Sequence, residues 1–278
     1  MTNISYSFSA TPSPKDLRTF TYAPTKANVY GGEKWEPEFI EHQHKVGICT
    51  AISTTMRARK HFNIKFSAEF QYLCQKKFYD LNWDEGSSIF HAIKVGKNIG
   101  FLPESEWTFT TEQDRYLPYN EYIEKLKAIP DTEIERLKTI ANKYKIKAYA
   151  NVPVDRDFIA NAIDESGSLL SRFVVGSEWW MPPIEPLRNP LTALGGHAVN
   201  NTKYSGGSFR IANSWGTDWA DKGTAYYLLN SYTPTENWKV WFENVPQEIQ
   251  NQVESRATII GKIMDLLQQI IVLVAKLA

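Results

Sequence analysis

Gln43-His-Lys-Val-Gly47-Ile-Cys49-Thr-Ala51 is the stretch on which the fold turns. Immediately after it, Cys49 to Phe62 places Ile52, Met56 and His61 or Phe62 near one helical face, so the pattern predicts a helix starting near Cys49, just past Gly47. The first amides of a helix lack carbonyl partners and carry the positive end of its dipole, a setting that stabilises an anion and lowers a thiol pKa. A thiolate is the useful nucleophile, and it needs a base close by in space, which sequence distance does not prevent. Cys49 is therefore the first candidate catalytic residue.

Working outward, residues 1–35 are rich in Ser, Thr, Pro and Tyr without any period, and read as an irregular arm lying over the surface. Further helices are expected over Ser67 to Lys77 with Ser67 as N-cap, Ser87 to Val95, and Asp131 to Tyr144 with Asp131 as N-cap. Beyond Lys145 the chain changes to short β-prone runs between Gly, Pro and Asn turns: Ile146 to Val152, Leu169 to Val175, His197 to Tyr204, Phe209 to Asn213 and Ala225 to Leu229. Helices in one half and strands in the other predict an α+β fold of two lobes, with a ligand site in the cleft between them. The base expected there is His197, in Leu194-Gly195-Gly196-His197-Ala198-Val199, where two glycines let the backbone pass close to another chain. Ile211-Ala-Asn213-Ser-Trp215-Gly216 follows, with an amide able to orient an imidazole and an indole able to cover the pair.

These blocks, in this order, resemble the papain-like cysteine peptidases. The resemblance runs from about Lys15 to Asn244 and also takes in Phe66-Ser-Ala-Glu-Phe-Gln-Tyr-Leu-Cys74, Asp84-Glu-Gly86-Ser-Ser88 and Gly100-Phe-Leu-Pro103-Glu104-Ser, the last similar to the segment that crosses between lobes in bacterial members. His197 falls within the ~130 to 150 residues expected after the nucleophile, and Asn213 lies slightly beyond, as one surface-loop insertion explains. The resemblance implies a helical lobe over about 36–115, a β-barrel-like lobe over about 145–240, and a peptidase domain spanning 36–246. It implies that Cys49 attacks the scissile carbonyl, His197 handles the proton, Asn213 orients the imidazole, and Gln43 with the Cys49 backbone N–H forms the oxyanion hole. Gly86, Ser87, Gly196 and Trp215 are implied in substrate binding. The sequence departs from the family block where Val46 precedes Gly47, so the disulfide of secreted members is missing, and where Thr50 replaces an aromatic residue. Those changes resemble intracellular, prokaryotic or phage relatives. Only 48 residues precede Cys49, about half of them expected in the mature fold, so no separate inhibitory pro-segment is expected.

Composition narrows the remaining options. Lys+Arg and Asp+Glu are 31 each and no basic block occurs, which argues against a nucleic-acid partner. A mean hydropathy of −0.39 argues against a polytopic membrane protein, and the N-terminus has no Sec-type signal pattern. Two cysteines are too few for a secreted disulfide scaffold, so a cytoplasmic or virion-associated location is expected. Cys74, at helical spacing from Phe70 and Phe78, reads as an inert core thiol. His42, His44, His61 and His91 lack metal-ligand spacing and read as surface or packing residues, so neither a metal nor a cofactor is expected. Trp179-Trp180 reads equally as a subsite wall or as loop packing. Within 247–278, Ile259, Ile263, Leu266, Ile270, Leu273 and Leu277 keep a coiled-coil spacing beside a second apolar stripe. That C-terminal apolar helix is expected to join chains into a homo-oligomer through residues 259–278, with docking on its own domain or contact with a membrane surface as alternatives. The expected partner of the cleft is a peptide or protein; a scaffold used only for binding in a virion-like assembly, or another acyl transfer on the same Cys–His chemistry, are the competing functions.

Overall fold

Ser, Thr and Pro residues without a period predict an irregular arm, and its described residues supply two short strands, β1 (Ala10–Thr11) and β2 (Phe20–Thr21). The structure, a computed structural model, describes residues 7–16, 19–23, 31–32, 35–180, 185–243, 262–263, 266–268 and 270. α1 (Cys49–Phe62) starts at the candidate nucleophile, as its apolar spacing predicts, and ends at Asn63 in the left-handed region. α2 (Ala68–Gln75) is capped by Ser67, whose hydroxyl accepts from the Phe70 N–H, and continues into a π-helical turn, Lys76–Asp80. β3 (Ser87–Ser88) comes next, and Ser88 caps α3 (Ile89–Asn98), so the helix expected from Ser87 begins two residues later. α4 (Tyr119–Lys127), absent from the sequence reading, and α5 (Asp131–Ala141) complete the helical half. Pro130, not Asp131, is the N-cap of α5; with ψ at 143° it sets the entry angle, and Asp131 falls inside the first turn, where its carboxylate favours the dipole.

The second half contains β4 (Ala148–Asn151), α6 (Arg156–Ser166), β5 (Leu169–Val175), β6 (Gly195–Ser205), β7 (Ser208–Ala212), β8 (Thr224–Tyr227) and β9 (Glu236–Trp241). The five expected strands correspond to β4 to β8, with ends shifted by a few residues. α6 and β9 were not expected. α6 is capped by the Asp155 carboxylate on two amides and buries Ile159, Ala160, Ala162 and Ile163. β9 hides from a hydropathy pattern because Asn237 and Lys239 are wholly buried: the Asn237 side chain accepts from the Ser171 hydroxyl at 2.6 Å and Lys239 pairs with Glu165.

Seven strands form one sheet in the order β2-β4-β9-β5-β6-β7-β8, antiparallel except for β2 on β4. Gly206 and Gly207, both at positive φ, turn β6 into β7, so the end of β7 returns toward the start of β6. An aromatic core, including Phe173, Trp179, Trp215, Trp219 and Tyr227, fills one side. Ile52, Met56, Phe70, Leu73, Cys74, Leu126 and Leu137 fill the helical half. A third cluster joins them and holds Cys49, Phe90, Leu170, Ala198 and Trp238, which puts the start of α1 against β6. The predicted C-terminal helix and its oligomer seam lie, apart from six positions, outside the described residues. Among the described residues no helix is long and apolar enough to cross a membrane.

Candidate active site

Asn213 directly follows β7, and the β6–β7 hairpin folds it back onto His197 of β6. His197 Nε2 donates to Asn213 Oδ1 at 2.7 Å, and the Ser214 N–H donates to the same oxygen at 2.8 Å, which fixes the amide's orientation. The Trp215 ring lies 4.7 Å from the imidazole, and Trp179, wholly buried, stands 5.9 Å away on edge. Trp179 is thus packing behind the histidine, while its neighbour Trp180 is exposed. With Nε2 occupied, His197 Nδ1 has no hydrogen-bond partner among the described residues and is the nitrogen free to take a proton. The Cys49 sulfur, at the first turn of α1, lies beside the backbone of Ala198, the residue after His197, and of Ser9 and Thr50, polar groups that draw the thiol pKa down.

Gln43 is buried on the other flank. Its Oε1 accepts from the Ser214 hydroxyl at 2.8 Å and its backbone N–H donates to the Ser214 carbonyl at 2.9 Å. The side-chain NH2 is left facing Ser7 O at 3.1 Å and Val46 O at 3.3 Å. The loop that carries it is held from below by Arg115, whose Nε donates to Glu69 at 2.7 Å and whose guanidinium also donates to the His42 carbonyl at 2.7 Å. His42 and His44 are stacked at 3.9 Å on either side of Gln43, and His44 contacts Glu112 at 2.9 Å. Burial pulls His42 down to about 4 and pushes the Glu41 carboxyl up to about 7. These two histidines pack together on either side of Gln43 and so brace the loop that carries it.

Arg115 and Glu69 are both almost fully buried, so Arg115→Met strands a carboxylate without its partner. The variant is expected to lose ~3 to 5 kcal/mol of stability, read as a lower denaturant midpoint. An unchanged midpoint would show that the pair adds nothing to the loop's support.

Residues 7–11 of the arm run through the cleft rather than over the outer surface, whereas residues 12–16 are half-buried or exposed. Ser9 bridges Gly196, and β1 pairs in parallel with β3, setting Ala10 against Ser87 and Thr11 against Ser88. Phe8 packs edge-on against Trp215 at 5.5 Å, and Arg172 donates to the Ala10 carbonyl at 2.8 Å. Glu85 ties the two sides together, accepting from the Gly47 N–H at 2.7 Å and the Ser7 hydroxyl at 2.8 Å. A β-carbon at Gly47, Gly86, Gly195 or Gly196 would sit 2.1, 1.9, 2.4 or 2.0 Å from an atom of Ser9, Ser9, Phe8 or Ala10 respectively, so glycine is what lets an extended backbone enter. Gly86, Ser87, Gly196 and Trp215 thus all border the strand in the groove. Gly86 and Ser87 are braced in turn, by Lys76 on the Gly86 carbonyl at 2.7 Å and by Asp80 on the Ser87 hydroxyl at 3.0 Å.

Beneath this strand the electrostatics run opposite to the sequence expectation. Burial pushes the Cys49 thiol up rather than down, against the polar groups that lower it, and holds His197 at about 4. The helix start is present, but covering it excludes the water that an ion pair needs, so thiol and imidazole both sit neutral. Sequence reasoning also missed Ser7 to Thr11, Arg115, Glu85 and Ser214. The cluster of glycines at 47, 86, 195 and 196 was the only signal of a backbone lying there. Cys74 is free, buried, and raised by burial, as fits a core thiol. Among the described residues no group of His, Cys, Asp and Glu is placed to hold a metal ion.

No family model and no curated protein matches the chain. Solved structures do. The chain is similar to xylellain, a cysteine protease from Xylella fastidiosa, at 25% identity and a TM-score of 0.70, over 85% of this chain and 96% of that one. It shares its fold with digestive procathepsin L 3 of the Tenebrio molitor larval midgut (14% identity, TM-score 0.58, 80% and 73% covered). The same holds for the Carica candamarcensis cysteine protease CMS1MS2, determined with E-64 (14%, 0.55, 74% and 93%). The fold is papain-like.

Proposed function

We propose that this chain, a papain-like hydrolase by its fold and its neighbours, is a thiol peptidase acting through Cys49, His197 and Asn213, and that residues 7–11 keep it closed. The observation that carries the reading is the groove itself: an extended polypeptide strand passes between four glycines, with the Cys49 sulfur, the Gln43 amide and the His197–Asn213 pair all turned toward it. Once the strand leaves and water enters, Cys49 passes its proton to His197 Nδ1 and the thiolate adds to a peptide carbonyl. The developing oxyanion accepts hydrogen bonds from Gln43 Nε2 and the Cys49 N–H. His197 then gives its proton to the departing amine, and a water deprotonated by the same imidazole hydrolyses the thioester, returning the thiol.

The arm is held in a register that cannot be cut. For attack, one carbonyl must meet both the sulfur and the Gln43 amide. Here Gln43 holds the Ser7 carbonyl while the sulfur faces Ser9, two residues along. Cleavage of fluorogenic peptides under reducing conditions by a chain whose arm has been displaced, with iodoacetamide modifying Cys49 and not Cys74, is the direct test. Labelling at Cys74 with loss of activity would overturn the assignment. Gln43→Ala is expected to lower kcat by ~10²-fold with little change in KM, because its hydrogen bond strengthens only as the oxyanion forms. A rise in KM at constant kcat would instead make Gln43 a ground-state binding group.

A further inference from the structure

We infer that Ser53, together with Asn200, is a positioning residue that sets the nucleophile's helix in register with the histidine's strand. Ser53 stands one turn after Cys49 on α1. Its hydroxyl donates to the Ala198 carbonyl at 2.7 Å, and Asn200 Nδ2 donates to the Ser53 carbonyl at 2.9 Å. Ser53, Ala198 and Asn200 are at most 1% exposed, so neither bond competes with water.

The local alternatives show that this contact is specific. A hydroxyl inside a helix usually bonds back to a carbonyl of its own preceding turn. The next two residues do so: Thr54 donates to Thr50 O at 2.7 Å and Thr55 to Ala51 O at 3.1 Å. Ser53 instead reaches out of its helix. The site it reaches is a gap in the sheet, because β7 pairs with β6 only from Asn200 onward. At that gap the Ala198 carbonyl is held by the Ser53 hydroxyl and the Ser53 carbonyl by the Asn200 amide, so α1 and β6 are joined in both directions at the residues that follow His197. The two bonds thus stand in for a neighbouring strand. Sliding α1 by a fraction of its rise breaks both together, and proton transfer between sulfur and imidazole tolerates little misplacement.

The inference rests on the peptidase reading, and a double-mutant cycle separates the two. In full-length protein labelled with ¹⁵N-histidine, the change in the His197 ring nitrogen signals caused by Cys49→Ala is measured with Ser53 present and with Ser53→Ala. The wild-type background is expected to show a clear change, Ser53→Ala to reduce it by about half or more, and Ser53→Thr, which keeps the hydroxyl, to restore it. No change in the wild-type background means that Cys49 and His197 are not a pair, and the peptidase reading fails. An equal change with and without the hydroxyl, or a loss that Ser53→Thr does not rescue, overturns the positioning role alone. Should Ser53→Ala fail to fold, Asn200→Asp, which keeps the shape and removes the donor, gives the same comparison.

Discussion

Cys49→Ala and His197→Ala, made in a chain whose arm has been displaced, are each expected to remove turnover by at least ~10⁴-fold, with the double variant no worse than either alone. The reason is that one proton and one sulfur serve every step. Without the thiol there is nothing to form the thioester; without the imidazole the thiol keeps its proton and the leaving nitrogen, with no proton donor, would have to depart as an amide anion. Asn213→Ala is a lesser loss, since His197 Nε2 would be free to rotate but still present, and its single 2.7 Å bond sets only the fraction of imidazole in the useful orientation. Cys74→Ser serves as the control: it places a hydroxyl among Phe70, Leu73 and their neighbours, costing stability and leaving kcat alone. Steady-state rates on one fluorogenic peptide settle the order. Additive losses from Cys49→Ala and His197→Ala would mean two independent contributions and no shared mechanism.

Much of the candidate site was legible because the proposed chemistry needs particular residue types at the ends of regular elements. The apolar spacing of Ile52 and Met56 puts Cys49 at the start of α1, and the β-prone run before Asn213 puts it at the end of β7, while their roles come from the resemblance of the surrounding blocks to a known family. The strand pattern read five of the strands because their buried positions are apolar. It failed at β9, where Asn237 and Lys239 are buried with partners that only the tertiary fold supplies, Ser171 and Glu165. It failed too at the Cys49 pKa, because a helix start is visible in sequence whereas a strand lying across it is not. The arm itself carries no periodic signal: its order comes from backbone contacts with Gly196, Ser87 and Ser88 and from Phe8 on Trp215, none of which constrains sequence pattern.

Ser9→Lys in the full-length chain is expected to raise kcat/KM by ~10²-fold or more at neutral pH. A tethered segment competes at an effective concentration in the millimolar range, so a micromolar peptide meets a cleft that is mostly filled. The Ser9 hydroxyl lies 2.1 Å from where a Gly47 β-carbon would be, leaving no room for a longer side chain, and a lysine there would also have to desolvate its charge against the buried sulfur. The pH dependence follows from the protons held by both groups together. Closed, the thiol keeps its proton and the imidazole, held at about 4, has none; open, the same proton sits on His197 beside a thiolate. The two states bind equal numbers of protons near neutral pH, so mild acid does not release the arm. The ratio of Ser9→Lys to wild-type kcat/KM, measured on one peptide from pH 7.5 down to about 5.5, is therefore expected to stay constant. A ratio of one at every pH would mean that the arm does not obstruct substrate, and a ratio that falls in acid would mean that the open state takes up a proton of its own, with His197 charged beside a neutral thiol.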